Sequence, residues 1–518
     1  MTSCHATQTR FSKFCRADPV DHPQDEASKN TALIAKIDLA GRKRQRSEIE
    51  GEEDDALACL ERGYKRLLNQ LTLSPSVNTK PPNYSSYQKG PTPILDGRYS
   101  DTAHAPALPV ELYHPAFAVF RGVSENTSIR PPDEVIRGTR NLMMSTSQIQ
   151  TGESMSTRAL LSELLAPGLT QTVNLDRSWP DHSFTQGRTE KPFGYASPLI
   201  IAEKPDLGTG GDCSVQGSFS FQSTWLQNQY ISSVCFCPSF VIGIAGPWIV
   251  IMGAIFTSHI IVQRLTGFLW LGLDRAINEN RVVQLARVFY ALRLGVKRLS
   301  EYYNQTIFSP TARKDRFYPL ATSYRDHEDR VVEFHYLRPL QKSNPSCAAF
   351  LVQRKNSGQQ MVVKFVERYG KDAHSLLQTH KFAPPLLYCG SVWMSGHEEM
   401  GCSSWKMVVM EYIPGATLAE EYGNKEVPDS VRVAVRTATQ LLHDKDLVHG
   451  DLRRPNIMVP ADHGAGHRDV LIVDFDWSGR DGEAYYPLNL SKSIAWPTGV
   501  EECGAIIKCH DLAMIDLL

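Results

Sequence analysis

The residues with the clearest chemistry lie between Leu447 and Gly479. The stretch reads LVHGDLRRPNIMV, then a short polar loop, then DVLIVDFDWSG. Asp451 and Asn456 stand five apart, and an apolar run, Val470 to Val473, delivers Asp474 at its end. Phosphoryl transfer from ATP to a hydroxyl asks for these types in this order. One carboxylate accepts or orients the hydroxyl proton, while an amide oxygen and a second carboxylate hold the Mg²⁺ that bridges the nucleotide phosphates. On that assignment Asp451 is the catalytic carboxylate, and Asn456 and Asp474 are the metal ligands. ATP and Mg²⁺ are then the cofactors. Arg453, two beyond Asp451, would offset charge on the group in transit, and Arg454-Pro455 would shape the turn before Asn456.

These side chains need elements to hold them. VVEFHYLRPL and CAAFLVQRKNSGQQMVVKFV alternate as strands do. Lys364, in MVVKFV, would pair its ammonium with the nucleotide's α and β phosphates. The stretch Met407 to Gly415, MVVMEYIPG, reads as a strand ending in a Pro-Gly turn. There the backbone of Glu411 to Ile413 would contact adenine, with Met410 behind it. Ser430 to Lys445 reads as an amphipathic helix beneath the Asp451 loop. No G-x-G-x-x-G precedes Lys364, where the chain reads RPLQKSNPSCAAF. No helix glutamate follows it clearly either. Asp372 is the first candidate to pair with Lys364, and Glu367 the second.

Several runs together resemble the fungal-type protein-kinase-like family of mushroom-forming fungi. They are FVERYGKDAHSLLQTHKFAPPLLYCG, MVVMEYIPGATL, HGDLRRPNIMV, IVDFDWSG, YYPLNLSKSIAWPTGV and HDLAMIDLL. The resemblance covers about Val282 to Leu518, and more loosely Glu111 to Leu273. It implies a bilobal protein-kinase-like fold, with Asp451 and Asn456 at the H-x-D-x-x-x-x-N spacing and Asp474 at the D-F-G position. The third residue of that triplet is Asp476, not Gly. His-Gly-Asp and Asp-Phe-Asp are also similar to choline and aminoglycoside kinases. No Arg precedes Asp451, so a phosphorylated activation loop paired to one is not expected. The 44 residues after Asp474 leave little room for a full large lobe, and no typical A-P-E is visible. His510-Asp511 would tether the catalytic loop from below. The implied activity is that of an atypical ATP-dependent kinase, acting on a protein Ser/Thr or a small hydroxylated molecule. The alternatives are a pseudokinase scaffold joined to a degenerate nuclease-derived domain, and a nuclease with a regulatory kinase module.

The whole chain, 518 residues, bounds these readings. A formal net charge of −1 gives no global pull toward nucleic acid or membrane, so such a contact must be local. The 11 Cys are scattered, with no CxxC pair, which favours a reducing compartment. The N-terminus lacks an apolar h-region, so no secretory signal is expected and the localisation is intracellular, cytoplasmic or nuclear. The expected class is α+β, in four parts. Residues 1–105 are a mostly disordered tail with one amphipathic helix over Ala56 to Gln70. Its RKRQR run, Arg42 to Arg46, is either a nuclear localisation signal or a solvated charge run. Residues 106–275 form an α/β domain, 276–319 a connecting helix and linker, and 320–518 the kinase-like domain. Phe240 to Phe256, 17 apolar residues broken by Ala-Gly-Pro, reads as a buried strand–turn–strand rather than a membrane span.

Within the second part, a strand from Leu199 ends on Glu203-Lys204, and a Gly-rich turn and a helix carrying Gln216 follow. This resembles the PD-(D/E)xK nuclease core, in which two carboxylates hold a metal that activates water while a Lys assists. Pro180-Asp181, 22 residues before Glu203, supplies the first acid, and Glu153 an accessory one. Adjacent residues on a strand point to opposite faces, so Glu203 and Lys204 share a site only if a bulge intervenes. A degenerate scaffold is the expectation, with nucleic acid a weakly supported partner.

Overall fold

In a computed structural model, the described residues are 46–70, 73–98, 107–147, 157–165, 170–172, 183–187, 195–208, 211–273, 279–305, 314–341, 347–393, 404–461 and 470–518. Helices and strands mix along the chain, and the class is α+β. The strands fall into two large sheets and two small ones among the described residues.

The first sheet contains β1 (Ile94–Leu95), β2 (Thr170–Thr172), β3 (Ser183–Gly187), β4 (Tyr195–Lys204), β5 (Ser239–Ala245), β6 (Trp248–Phe256), β7 (Ile260–Arg264) and β8 (Leu269–Trp270). Its order is β1-β7-β6-β5-β4-β3-β2, with β8 on β6. The β-branched runs on either side of Gly246-Pro247 make β5 and β6 an antiparallel hairpin, as their sequence predicts. Gly246 sits at φ +56° in the turn, where a side chain would be strained. Every residue of the hairpin's strands is buried except Trp248, which is half-buried. No helix among the described residues is long and apolar enough to cross a membrane. Helices Pro115–Glu125 and Glu279–Gln305 cover the sheet. Gly295 lets the long helix approach closely, since a Cβ there would lie 2.5 Å from the Phe240 ring.

Two expected boundaries move. The disordered tail was placed at 1–105, but residues 46–70 and 73–98 are part of the first fold. The helix runs Arg46–Leu68, and Leu67, Ile94 and Leu95 are buried in the core. Ile94 and Leu95 pair with Ile260 and Ile261 as a parallel edge strand, too short to announce itself by alternation. Arg42 to Gln45 lie outside the described residues. The boundary set at 275 moves as well: the connecting helix, expected to pack in a core or between domains, runs Glu279–Gln305 and buries Phe289, Leu292 and Leu299 in the first domain's core.

The second sheet is antiparallel: β9 (Ser323–Arg325), β10 (Val331–Pro339), β11 (Ala349–Arg354), β12 (Gln360–Val366), β13 (Leu386–Ser391) and β14 (Lys406–Glu411), in the order β13-β14-β12-β11-β10-β9. Period-two alternation splits β12 between two cores. Met361, Val363 and Phe365 join the first core, whereas Val362 and Val366 join a second one with the remainder of the chain. Arg316 fastens the junction. Its buried guanidinium donates to Phe256 O at 3.0 Å and lies over the Tyr64 ring at 4.0 Å. Helix Lys371–Thr379 lies between β12 and β13, and helices Leu418–Tyr422, Asp429–His443 and Lys508–Asp516 follow the sheet. Short strands β15 (Gly415–Thr417), β16 (Leu447–Val448), β17 (Ile457–Pro460), β18 (Leu471–Ile472) and β19 (Gly479–Arg480) hold the loops between the helices.

Candidate active site

Lys364 lies in mid-strand, between Ala349 of β11 and Val408 of β14, on the face turned from the first domain. Phe475 and its neighbours arrive from β18 on that face. The Lys364 ammonium meets Asp474 Oδ1 at 2.6 Å, across 110 residues of sequence. It also meets Asp476 Oδ2 at 2.6 Å. All three are largely out of water, the side chains of Lys364, Asp474 and Asp476 keeping 4%, 1% and 23% exposure. Burial alone would depress the Lys364 pKa. The attraction of Asp474, then Asp476, outweighs it, so the ammonium stays charged. Burial drives the Asp474 carboxyl the other way, well above its ordinary range, and Lys364 opposes that rise.

The Asp451 loop sits beside this cluster because three separate anchors fix it. Asp511 accepts the backbone N–H groups of His449 at 2.9 Å and Gly450 at 2.8 Å, and the ring of His443 at 3.2 Å. The tether expected from His510-Asp511 is thus made by Asp511, while His510 pairs with Tyr486. The buried His449 ring donates from Nε2 to Val473 O and accepts the Asp451 N–H at Nδ1. Burial lowers its pKa, against the pull of Asp511. Gly450 stands at φ +84°. A Cβ there would lie 2.9 Å from Ile506.

Asn456 joins the two motifs. Val473 N–H donates to Asn456 O at 3.0 Å, which ties the Asn456 backbone to the segment that carries Asp474. Its Nδ2 donates to Asp451 Oδ2 at 2.7 Å. That leaves Asn456 Oδ1 buried and without a hydrogen-bond partner, and Asp474 Oδ2 and Asp476 Oδ1 are in the same condition. Buried acceptors without donors are costly, and oxygens of this kind are the ligands a hard divalent cation takes. The donor set therefore fits Mg²⁺, with Asn456 and Asp474 as the residues that would hold it. Among the described residues no group of three or more His, Cys, Asp or Glu could hold a metal, and this set is two carboxylates and one amide.

Several expectations change. Arg453, expected to offset charge on the transferring group, pairs with Asp451 in this structure. It grips Asp451 in a two-pronged ion pair through Nε and Nη2, and lies 4.9 Å from the centre of the Trp496 ring. Asp372 and Glu367 do not pair with Lys364. Both are exposed, and Asp474 and Asp476 take the ammonium instead. The signal for Asp476 was present in the sequence as the acid replacing the expected Gly. Trp496 carried no motif. Glu411 and Ile413 lie where β14 ends, with Met410 buried behind them. Among the described residues the Ile413 backbone makes no hydrogen bond. Residues 342–346, in the stretch that lacks the glycines, lie outside the described residues.

Of the nuclease-like set, Glu203 and Lys204 lie among the described residues. Asp181 and Glu153 lie outside the described residues. β4 pairs with β5 in unbroken parallel register from Leu199↔Phe240 to Lys204↔Ala245. No bulge intervenes at Glu203-Lys204, so the two half-buried side chains leave opposite faces. The turn and helix that follow, Cys213–Gln227 with Gln216 buried, are as expected. No protein-family model and no curated protein matches the chain.

Proposed function

We propose that the protein is an ATP-dependent phosphotransferase whose site lies between the second sheet and the helices after it. One observation carries the reading: Lys364, Asp474, Asn456 and Asp451, drawn from three separated stretches, lie together in buried polar contacts, with Asn456 Oδ1 and Asp474 Oδ2 buried and without a hydrogen-bond partner. Mg²⁺, when bound, would neutralise nucleotide phosphate charge there. The chain's own residues do the remaining work. Lys364 offers its ammonium to the phosphates, and the Ile413 N–H is available to adenine. Asp451 receives or orients the acceptor hydroxyl's proton. Asn456 holds Asp451 in register through its Nδ2. The resemblance of HGDLRRPN and VDFDWSG to fungal-type protein-kinase-like proteins supports the same reading. The acceptor is a protein Ser/Thr or a small-molecule hydroxyl.

A nucleotide-binding scaffold without turnover is the second reading. The grip of Arg453 on both oxygens of Asp451 favours it, because an acceptor hydroxyl would find both oxygens already engaged. One experiment separates the two. Thermal unfolding of the full chain with Mg²⁺ and ATP is expected to shift upward, and Asp474→Ala is expected to abolish the shift. Transfer of the γ-phosphoryl group to an added acceptor then marks the enzyme, and its absence alongside binding marks the scaffold. An Asp474→Ala protein that responds to Mg²⁺ and ATP as the parent does would remove the metal assignment.

A further inference from the structure

The reading above gives Asp476 no role of its own, although its free oxygen is one of the three buried in the cluster. Its Oδ2 shares the Lys364 ammonium with Asp474, each contact 2.6 Å. Its Oδ1 is buried without a hydrogen-bond partner, as are Asp474 Oδ2 and Asn456 Oδ1. The backbone explains how two carboxylates two residues apart reach one ammonium. Asp474 adopts the left-handed conformation, φ +69°, which Asp tolerates better than most residues. Phe475 between them turns the other way, stacking on the His374 ring at 4.6 Å between centroids. Both acids are thus presented to the same side.

Charge argues for a further ligand at this point. Two carboxylates against one ammonium leave one negative charge in a water-poor site, and Asp451 is already neutralised by Arg453. A divalent cation would reverse the sign of that excess, making the cluster attractive to a triphosphate.

We propose that Asp476 is a third oxygen ligand of the nucleotide-bound Mg²⁺, and that without nucleotide it serves as the counter-ion of Lys364. It thereby takes the place expected for an acid on the Lys371–Thr379 helix. The proposal rests on the phosphotransferase reading, and it adds that the lysine and the metal are served by one segment, residues 474–476. The position of the helix therefore does not decide whether Lys364 has a partner.

The test uses the full chain and Mn²⁺ as the probe, read by electron paramagnetic resonance with ATP present. Fluorescent-nucleotide binding without metal is measured in parallel. Asp476→Asn is expected to weaken Mn²⁺ binding to the nucleotide complex by roughly 10–100-fold, the loss that even an outer-shell partner of a metal typically causes. Asp476→Glu, which restores the carboxylate, is expected to recover most of it. Asp372→Ala is expected to bind as the parent does. Loss in Asp474→Ala with no loss in Asp476→Asn overturns the assignment of Asp476 and leaves the phosphotransferase reading standing. A parent chain that binds no Mn²⁺ with ATP removes that reading itself, and this proposal with it. Failure of Asp476→Glu to recover binding reduces Asp476 to a structural role and also overturns the proposal.

Discussion

Both oxygens of Asp451 are engaged, Oδ1 by Arg453 and Oδ2 by Arg453 and Asn456. On the phosphotransferase proposal, an acceptor hydroxyl would share Asp451 with those donors or displace one, and a positioned general base contributes about 10²–10⁴-fold. Asp451→Asn retains size and removes that charge, so γ-phosphoryl transfer is expected to fall by roughly this factor while ATP affinity is kept. Initial rates and nucleotide titrations on the same preparation check it, and unchanged turnover would exclude Asp451 from catalysis. At this scale the sequence was informative where chemistry dictates spacing. Asp451, Asn456, Asp474 and Lys364 could be picked out because few residue types serve their roles. Asp476 could not be placed, because a motif position says which residue is unusual and not where its carboxylate ends up. The contact of Arg453 with Asp451 was not anticipated, although a guanidinium two residues from a carboxylate has a near partner.

The Lys371–Thr379 helix meets the site through His374 rather than through an acid. The ring is fully buried, takes the Tyr369 hydroxyl at 2.6 Å on Nδ1 and gives Nε2–H to Pro384 O at 2.7 Å. Burial lowers its pKa to about 4, from an ordinary 6.5. Between those values the unfolded chain binds more protons than the folded one, so stability rises with pH across the window. The contribution is complete above about 6.5 and is lost as pH falls toward 4, for a total of about 3 kcal/mol. Urea midpoints from pH 7 to 4.5 are therefore expected to fall more steeply for the parent than for His374→Asn. Parallel curves would show that His374 does not titrate as stated. The hairpin of β5 and β6 was legible at the level of elements, because β-branched runs around a Gly-Pro break leave few alternatives. Helices Pro75–Asn78 and Pro81–Gln88 and strand β1 were hidden in a polar, proline-rich stretch, where long-range pairing rather than local pattern makes the structure.

The first sheet, the long helix Glu279–Gln305 and one face of the second sheet share a continuous core. The alternation in MVVKFV showed that both faces of its strand are apolar, but no pattern internal to a strand names the surface that covers it. A chain cut to 320–518 would uncover Phe334, Phe350, Val363, Phe365 and Val409, and would lose Arg316 from the junction. Exposed apolar area of that extent drives association. The fragment is expected to bind the dye ANS and to aggregate, whereas the full chain does neither. Light scattering and dye fluorescence on both check this, and a monodisperse, dye-silent fragment would show that the second sheet stands alone.

The carboxylate of Asp511 ties the His449-Gly450 backbone from 62 positions further along the chain. During synthesis the loop is therefore made well before its anchor. At about 5–20 residues per second, the wait for Asp511 is roughly 3–12 s. Throughout that interval the nascent chain already carries Lys364, Asp451, Asn456 and, soon after, Asp474. It lacks only the clasp that orients two of the loop's amides. The His449-Gly450 backbone so built stays unclasped until Asp511 has been made.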